Sequence, residues 1–215
     1  MVNIILIGPQ GCGKGTQAQI LLQKYKLTYI EAGAMIRKQA LFHDKKSEIL
    51  NHLVNQRGIL LPDGIVMDMI CDELEEQLNP HGYLFDGFPR STIQYQALKE
   101  YLKDKQKKLT IGLYIHISDE EAVKRLEGRR ICVLCKKGYS LFLEPNKTHC
   151  VCGGELKKRI DDEPRAIRHR LEEFHSHTIQ ILRLMQNDGI LKKINGEQTI
   201  RDISSDILKA MQGII

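Results

Sequence analysis

The sequence predicts an α/β protein in which helices cover both faces of a five-stranded parallel sheet, a three-layer sandwich. Two observations lead to this prediction. Five apolar runs have the length of buried strands, and segments with helical periodicity separate them along the chain. Alternating strands and helices typically build a parallel sheet with helices packed on both sides. In such sheets, ligands bind at the carboxyl ends of the strands.

The individual elements follow from the same periodicities. The predicted strands are Val2–Ile7, Thr28–Ile30, Tyr83–Phe85, Ile111–Ile117 and Leu191–Ile194. The predicted helices lie near 14–25, 34–56, 64–78, 91–107, 119–128, 164–187 and 199–212. One interval, from Ile131 to about Lys158, has cysteines, glycines and polar turns instead of helical periodicity. This interval indicates a small inserted module.

Size and composition narrow the class of protein. A chain of 215 residues can bury one full core but hardly two large ones. Its net charge of +5 suits a protein that handles anionic small molecules, and it is too mild to indicate a nucleic-acid partner. The first apolar run, Val2–Ile7, is too short for a signal segment or a membrane span. We therefore expect a cytoplasmic protein, with no membrane partner and with reduced cysteines.

A glycine-rich segment from Gly8 to Thr16 follows the first strand and opens a helix. Glycines allow backbone N–H groups to turn inward around phosphate oxygens, and the helix N-terminus adds partial positive charge. Lys14 is expected to reach the β- and γ-phosphates of a nucleotide, and a hydroxyl is expected to bind Mg²⁺. The usual pattern has Ser or Thr directly after the lysine, whereas here Gly15 precedes Thr16. A glycine-rich turn without a ligand is the alternative interpretation.

The Gly13-Lys14-Gly15-Thr16 variant resembles the phosphate loop of adenylate kinases and related nucleoside monophosphate kinases. Further motifs stand in the order of that family along nearly the whole chain. They are Gly33-Ala-Met-Ile-Arg37, Leu61-Pro62-Asp63, Asp86-Gly-Phe-Pro-Arg90, Arg125-Leu-Glu-Gly-Arg129-Arg130, Arg159-Ile-Asp161-Asp162 and Arg165-Ala-Ile-Arg168-His-Arg170. The resemblance implies a P-loop core formed by 1–30, 61–128 and 161–215, a helical segment for the nucleoside monophosphate at 31–60, and a lid at 129–160. It also implies Mg²⁺-dependent transfer of the γ-phosphate of ATP to AMP.

Two arginine placements can be argued from helical periodicity. Arg125 and Arg129 are four residues apart on a predicted helix, so their charges share a face and repel unless an anion or solvent relieves them. Arg170 belongs to the inward face of the last long helix, whereas Arg168 points elsewhere. An inward arginine needs an anionic partner, which is either a ligand or a structural carboxylate.

The resemblance carries site residues over position by position. It implies that Arg90 binds the AMP phosphate beside Arg37, that Arg125 packs on the ATP base, that Arg129 and Arg159 contact its phosphates, and that Arg170 contacts the transferring phosphate. Thr16 and Asp86 are the expected Mg²⁺ residues, since a carboxylate at a strand end can hold metal-bound water.

The expected catalytic residues are Lys14, Arg90, Arg129, Arg159 and Arg170. The expected ATP-binding residues are Gly11, Cys12, Gly13, Lys14, Gly15, Thr16, Arg125, Arg129 and Gln198. The expected AMP-binding residues are Ala32, Gly33, Arg37, Leu61, Gly87, Arg90, Gln94, Arg159 and Arg170.

The identity of the acceptor rests on conflicting signals. Family members that use AMP usually have Thr-Gly-Asp where this chain has Ala32-Gly33-Ala34. Ala32 resembles UMP/CMP kinases, whereas Gln94 resembles adenylate kinases and can pair with the N1 and N6 edge of adenine. We favour AMP with relaxed selectivity for other nucleoside monophosphates, and a UMP/CMP-type or broad-specificity kinase is the alternative. Ala34 also removes a carboxylate that helps to hold hydrated Mg²⁺ in the family, so Asp86 is left to do so alone.

The cysteines of the inserted module predict a structural zinc site. Cys132-x₂-Cys135 is a standard zinc knuckle, and a second, irregular knuckle contains Cys150 and Cys152. Cys150 is the expected fourth ligand, because thiolate is the norm in the family that the chain resembles. His149 is the alternative, because it stands where that family places a cysteine and its spacing to Cys152 is the more regular. A metal-free lid is a further alternative. Zinc here would shape a zinc-ribbon-like lid that closes over ATP and excludes water.

A function of another class remains open from the sequence. A nucleic-acid-binding P-loop protein with a zinc ribbon needs a clustered basic face with interleaved aromatic residues. The module contains Tyr139 and Phe142 as its aromatic residues and few basic ones. We therefore expect ATP and AMP as partners and no nucleic acid. The family implies a monomer or a small homo-oligomer.

Overall fold

The computed structural model describes residues 1–39, 61–159 and 162–214. Five parallel strands form the main sheet, as predicted, and its order across the sheet is Thr28–Glu31 (β2), Gly82–Asp86 (β3), Val2–Ile7 (β1), Ile111–His116 (β4) and Leu191–Asn195 (β8). A second, antiparallel sheet has the order β6–β5–β7. The strands are β1 (Val2–Ile7), β2 (Thr28–Glu31), β3 (Gly82–Asp86), β4 (Ile111–His116), β5 (Arg129–Cys132), β6 (Gly138–Ser140), β7 (Leu156–Lys157) and β8 (Leu191–Asn195).

The helices connect the strands at the predicted places. They are α1 (Lys14–Tyr25), α2 (Ala32–Gln39), α3 (Asp63–Glu76), α4 (Thr92–Asp104), α5 (Asp119–Glu127), α6 (Pro164–Glu173), α7 (Ile179–Asn187) and α8 (Ile200–Met211). The helix predicted near 34–56 lies largely outside the described residues. Within the described part of the chain, none of these helices has both the length and the apolar character that crossing a membrane requires.

The two faces of the sheet bury separate apolar layers because side chains alternate along each strand. Ile4 and Leu6 of β1 pack with helices α1, α5, α6 and α8. Ile5 and Ile7 face the opposite side and pack with helices α3, α4 and α7. Every residue of β1 after Val2 is buried, which is expected for a central parallel strand covered on both faces. The predicted three-layer arrangement is therefore confirmed.

The predicted helix at 164–187 is divided into two. A π-helical turn, Phe174–Thr178, separates α6 from α7. Ile167 and Leu171 pack on one face of the sheet, whereas Phe174 and Met185 pack with the layer on the other face. The prediction of one continuous inward stripe was therefore wrong. The extra residue that a π-turn inserts changes the helical phase, and this change accompanies the passage of the chain from one layer to the other.

The inserted module forms the small antiparallel sheet. Its buried side chains are Cys132, Tyr139 and Cys150, with Leu156 packed against them. This cluster has few apolar members, so hydrophobic burial contributes little to its stability. A module of this kind depends on a metal or on hydrogen bonds for its shape.

Candidate functional site

The glycine-rich loop joins β1 to α1 and wraps around the start of that helix. Gly11 and Gly13 have φ values of 87° and 95°, a region that favours glycine, so the loop sequence is adapted to this turn. Gly13 caps α1, and its carbonyl accepts hydrogen bonds from the N–H groups of Thr16 and Gln17 at 3.1 and 3.2 Å. The helix N-terminus therefore opens directly into the loop, which is the arrangement that binds phosphate.

Lys14 is the first residue of α1, and its ammonium group lies over the loop. Nζ donates to the carbonyl oxygens of Gly8 and Pro9 at 2.7 and 3.0 Å and lies 3.6 Å from Sγ of Cys12. Burial raises the pKa of the Cys12 thiol, so this side chain remains neutral beside the lysine. The predicted phosphate-binding lysine is thus held at the loop by backbone carbonyls, which are weaker partners than a phosphate oxygen.

Asp86 ends β3 at the same edge of the sheet as the loop. The strand register places Asp86 opposite Leu6 of β1 and opposite Glu31 of β2. The Asp86 carboxylate is buried, and its Oδ2 accepts a hydrogen bond of 2.8 Å from the Tyr29 hydroxyl. Burial, followed by the charge of Asp86, raises the pKa of Tyr29, which keeps the hydroxyl protonated as a donor. One carboxylate is therefore oriented beside the phosphate loop.

Arg90 lies in the turn after β3, close enough to Asp86 and Arg37 for their charges to affect it. Burial lowers the pKa of the Arg90 guanidinium; the Asp86 carboxylate opposes this shift, and the Arg37 cation adds to it. Its Nε donates to the Gly87 carbonyl oxygen at 2.8 Å. Among the described residues, no carboxylate oxygen lies within 4.0 Å of this guanidinium. A partly buried cation with only a carbonyl partner suits an anionic ligand.

Arg37, by contrast, has a carboxylate partner. Its Nη2 lies 2.9 Å from Oε1 of Glu31, and the two side chains are 50% and 37% exposed. An exposed pair of this kind contributes little stability and separates readily. The structure thus brings Arg37 and Arg90 to one region, as predicted, with an exchangeable partner on Arg37.

Gln94 is buried at the start of α4, so it is no surface residue. Its Oε1 accepts from the backbone N–H of Arg90 at 2.7 Å, and its Nε2 donates to Oδ1 of Asp63 at 2.8 Å. Ser91 caps the same helix by accepting from the Gln94 backbone N–H at 3.1 Å. The side-chain amide is therefore held at both ends by groups from two different segments of the chain.

Arg129 and Arg170 meet at one buried carboxylate. Arg129 Nε donates to Oδ2 of Asp162 at 2.7 Å, and Arg129 Nη2 forms a second, shorter bond to Oδ1. Arg170 Nη1 lies 3.3 Å from the same Oδ1, and Asp162 itself has no exposed surface. The structure therefore joins two of the predicted phosphate-binding arginines, from β5 and α6, through a residue between them.

The prediction that Arg125 and Arg129 share one face of a helix was wrong. Helix α5 ends at Glu127, and Arg129 is the first residue of β5. Arg125 instead pairs with Glu121 at 2.7 Å, one turn earlier on α5. Gly128 at the end of the helix interrupts the periodicity on which the prediction relied.

The remaining predicted residues lie as follows. Ala32 and Leu61 are buried in one apolar layer, and Gly33 follows Ala32 in α2. Gln198 follows β8, where its Nε2 donates to the Asn195 carbonyl oxygen at 3.1 Å and to Asp206 at 3.0 Å. The carbonyl oxygen of Arg159 accepts from the Asp162 N–H at 3.1 Å, so its backbone joins the arginine cluster. Gly15 and Thr16 are exposed at the mouth of the loop, and Gly87 lies within the Asp86–Arg90 turn.

Four cysteines of the inserted module lie together. The Sγ atoms of Cys132, Cys135, Cys150 and Cys152 all lie within 4.8 Å of one another. The pairs Cys132–Cys152 and Cys135–Cys150 are 3.5 and 3.4 Å apart, which is too long for disulfides. His149 is absent from this cluster, and its Nδ1 lies 3.0 Å from the Thr148 hydroxyl. Of the two ligand sets that the sequence left open, the geometry favours the four-cysteine set.

Cys150 has the environment of a thiolate. The Cys152 backbone N–H is the largest cause, followed by the Tyr139 hydroxyl, and together they lower the pKa of the Cys150 thiol to about 6. The Tyr139 oxygen lies 3.1 Å from Sγ of Cys150. A thiolate is the form in which cysteine binds metal.

Four supporting residues were missed by the sequence reasoning. Tyr29 contacts Asp86, Glu31 contacts Arg37, Asp63 contacts Gln94, and Asp162 contacts Arg129. A signal was available for Asp63 and Asp162, because both stand inside motifs that resemble the family. Tyr29 and Glu31 carry no such signal, since only the pairing of β2 with β3 brings them to the site.

The chain is similar to known proteins along nearly its whole length. Residues 6–190 match the sequence model of the family described as adenylate kinase. The chain is 36% identical over 217 residues to the adenylate kinase of Desulforamulus reducens, with 98% of this chain and 100% of the relative covered. It is 35% identical over 217 residues to that of Methanocella arvoryzae, with coverage of 98% and 99%. It is 32% identical over 213 residues to that of Caldicellulosiruptor saccharolyticus, again with coverage of 98% and 99%.

Proposed function

The chain belongs to the adenylate kinase family, and from this premise we propose that it transfers the γ-phosphate of ATP to AMP in a reversible reaction that forms two molecules of ADP. The observation that carries the proposal is the position of Arg90. Its guanidinium is partly buried at the carboxyl edge of the sheet, and no carboxylate of the described residues lies within 4.0 Å of it. A nucleotide phosphate supplies the charge that this site lacks.

Phosphoryl transfer requires alignment of two nucleotides and stabilisation of the transferring group rather than covalent participation of the protein. In this proposal, Lys14, Arg90, Arg129, Arg159 and Arg170 surround the phosphates. The pair Arg129 and Arg170 is already held in one cluster by Asp162, which reduces the rearrangement that binding requires. No general base is assigned.

The donor nucleotide is proposed to bind along the loop between Gly11 and Thr16. Its phosphates replace the carbonyl oxygens of Gly8 and Pro9 as the partner of Lys14. Arg125 is proposed to pack on the ATP base and Gln198 to contact the same nucleotide. The protein partner of Arg125 competes only weakly, because the pair between Arg125 and Glu121 is partly exposed.

The acceptor nucleotide is proposed to be AMP, with its phosphate on Arg90 and Arg37 and its base beside Gln94. Ala32, Gly33, Leu61 and Gly87 complete this site in the proposal. Ala32 is buried and offers no hydroxyl, which removes one hydrogen bond that the family usually provides. Such a loss is worth about 0.5–1.5 kcal/mol, so we expect selectivity for AMP to be relaxed rather than lost.

Magnesium is proposed to bind with ATP at Thr16 and Asp86. The residues fit this ion, because Asp86 offers a carboxylate at the strand end beside the phosphate loop, and Tyr29 occupies only its Oδ2. Mg²⁺ when bound neutralises developing charge on the phosphates. The protein contributes the orientation of Asp86 and the exposed hydroxyl of Thr16.

Zinc is proposed as a structural ion of the small sheet. The four Sγ atoms fit a tetrahedral site, since Zn–S bonds of about 2.3 Å place sulfur atoms about 3.8 Å apart. The separations of 3.4 and 3.5 Å within the cysteine cluster are close to this value. The four thiolates leave no open position, so the ion holds the lid in shape and takes no part in the transfer.

The same proposal divides the chain into a core of 1–30, 61–128 and 161–215, an acceptor segment at 31–60 and a lid at 129–160. The distinct antiparallel sheet supports the lid, and the continuous five-stranded sheet supports the core. A cytoplasmic location is also proposed. It is supported by cysteines that are all free among the described residues, as expected in a reducing compartment.

A coupled assay of nucleoside diphosphate formation tests the proposal. ATP and Mg²⁺ are supplied with AMP, CMP, UMP or GMP in turn. We expect the highest kcat/KM with AMP and measurable, lower activity with the others. A pyrimidine nucleotide in first place would favour the UMP/CMP-type alternative to which Ala32 points. Absence of turnover with all four acceptors would contradict the kinase assignment.

A further inference from the structure

The amide of Gln94 has only one orientation that its surroundings allow. A glutamine amide places an acceptor oxygen and a donor nitrogen at interchangeable positions, so its orientation depends on its partners. Here, both partners have fixed roles. The Arg90 backbone N–H can only donate, and it faces Oε1 at 2.7 Å. The Asp63 carboxylate accepts when ionised, and it faces Nε2 at 2.8 Å. Rotating the amide by 180° would bring two donors together at Arg90 and two acceptors together at Asp63.

Among the described residues, the Asp63 carboxylate interacts mainly with the Gln94 amide. It is the first residue of α3, and it follows Pro62, which provides no side-chain cap. Among the described residues, no cationic side chain lies within 4.0 Å of its carboxylate. Its one side-chain hydrogen bond in the described structure is to Gln94, which lies on a different helix. The helix N-terminus favours a carboxylate at this position in any case, but that preference does not require contact with α4.

The orientation matters because the bases of the candidate acceptors differ in the order of their hydrogen-bond donors and acceptors. Adenine presents an acceptor at N1 and a donor at N6, whereas a 6-oxopurine presents a donor at N1 and an acceptor at O6. After its two protein contacts, the amide keeps one N–H and one lone pair. An amide of fixed orientation presents this N–H to the N1 acceptor of adenine and this lone pair to its N6 donor. An amide that is free to rotate by 180° could match either base.

We infer that Asp63 is a specificity-determining positioning residue, which fixes the orientation of the Gln94 amide so that the acceptor site reads adenine and disfavours 6-oxopurines. This inference rests on the proposed function, in which Gln94 contacts the acceptor base. Asp63 itself does not contact the nucleotide. The backbone N–H of Arg90 supplies the opposite constraint, which links the base-reading amide to the residue proposed to bind the acceptor phosphate.

A double-mutant cycle tests the inference. Asp63→Ala, Gln94→Ala and the double variant are compared with the wild-type protein for kcat/KM with AMP and with inosine monophosphate, a 6-oxopurine. We expect Asp63→Ala to reduce the preference for AMP about five- to tenfold, mainly through a higher KM for AMP. In the Gln94→Ala background, the same change should have no further effect on this preference, because Asp63 acts through Gln94.

Further variants separate this role from a structural one. Asp63→Asn keeps an oxygen that can accept from Nε2, so it should retain more of the preference than Asp63→Ala does. Asp68→Ala removes an exposed carboxylate from the same helix and should leave the preference unchanged. Thermal melting of each variant reports whether the substitution destabilises the folded protein.

Two results would overturn the inference. One is an unchanged preference in Asp63→Ala, and the other is a loss that adds in full to that of Gln94→Ala. The proposed function fails in a different way. If Gln94→Ala itself leaves the preference unchanged, Gln94 does not read the base, and the inference falls with that assignment. If the wild-type protein shows no turnover of AMP, the kinase assignment fails before any variant is compared.

Discussion

Arg129 and Asp162 form an ion pair with two hydrogen bonds, which joins the start of β5 to the chain that precedes α6. Asp162 is fully buried and also contacts Arg170, so one carboxylate orients two cations that belong to different elements. The negative charge of Asp162 offsets repulsion between these two partly buried guanidinium groups. In the proposed function, Arg129 and Arg170 bind phosphate, and their contacts with Asp162 hold both side chains in place before the nucleotide binds.

Replacement of Asp162 tests this preparation. Asp162→Asn keeps the size of the side chain but removes the charge that holds Arg129 and Arg170. We expect kcat to fall about 10- to 100-fold, because small displacements of groups that align the phosphates are costly. Steady-state kinetics at a temperature where both proteins are folded measures the effect. Glu163→Ala is the matched control, since Glu163 is exposed and its ion pair in the described part of the chain is with Lys158, at 3.2 Å. An unchanged kcat in Asp162→Asn would contradict the positioning role.

The hydroxyl of Tyr29 should affect the use of magnesium. Tyr29→Phe removes the hydrogen bond of 2.8 Å that orients the Asp86 carboxylate. Because residues that orient a metal ligand affect metal affinity, we expect the Mg²⁺ concentration for half-maximal activity to rise about three- to tenfold. The maximal rate at saturating Mg²⁺ should change less. Tyr25→Phe serves as the control, because no hydrogen bond of the Tyr25 hydroxyl occurs in the described structure. Equal Mg²⁺ dependence in both variants would argue against the role of Tyr29.

The cysteine cluster predicts which substitutions remove zinc. Metal analysis of the purified protein should find about one zinc ion per chain, as expected for a four-thiolate site. Cys135→Ser and Cys150→Ser should each lower the zinc content sharply and lower the melting temperature. His149→Ala should keep the zinc, because His149 lies outside the cluster. Loss of zinc from His149→Ala would show that the second knuckle uses the histidine. Removal of zinc by a chelator should destabilise the small sheet in the same way as the cysteine variants.

Asp188 predicts a dependence of stability on pH. It lies at the end of α7, where it accepts hydrogen bonds from Lys99 at 2.5 Å and from Tyr95 at 2.6 Å. Burial alone would raise the pKa of Asp188, but the bonds from Lys99 and Tyr95 outweigh it and lower this pKa below its ordinary value of 3.8. A carboxylate whose pKa is lowered by folding stabilises the folded state at pH values above its ordinary pKa. This stabilisation is lost as the pH falls through the pKa of the folded state.

The corresponding variant is Asp188→Asn. At pH 7 we expect it to reduce the free energy of unfolding by about 1 kcal/mol. This difference from the wild-type protein should shrink once the pH falls below 3.8. Urea unfolding at a series of pH values above and below 3.8 measures this difference. Asp68→Asn, on the exposed face of α3, is the control. A difference that stays constant at every pH would mean that ionisation of Asp188 does not contribute.

Local patterns in the sequence determined the parallel sheet and the glycine-rich loop of this protein. The strand β1, the glycine-rich loop and Lys14 follow one another within a few residues, so periodicity and residue type were enough to predict them. The parallel sheet followed from the alternation of elements, because few connections satisfy it. The motifs of the adenylate kinase family then assigned roles to residues such as Arg90 and Asp86, which the structure places at the same edge of the sheet as the loop.

Tertiary structure alone decided the partners of these residues. The sequence could not choose between His149 and Cys150, which are neighbours in the chain, because only the path of the second knuckle places one sulfur among three others. Helical spacing predicted that Arg125 and Arg129 share one face of a helix. In the structure the helix ends between them, and Arg129 donates a hydrogen bond to Asp162. Asp63 and Gln94 lie on separate helices, and the packing of α3 against α4 brings them together. Periodicity describes how a segment faces the core, whereas contacts between distant segments depend on how the whole chain packs, and that packing determines which partner each polar group receives.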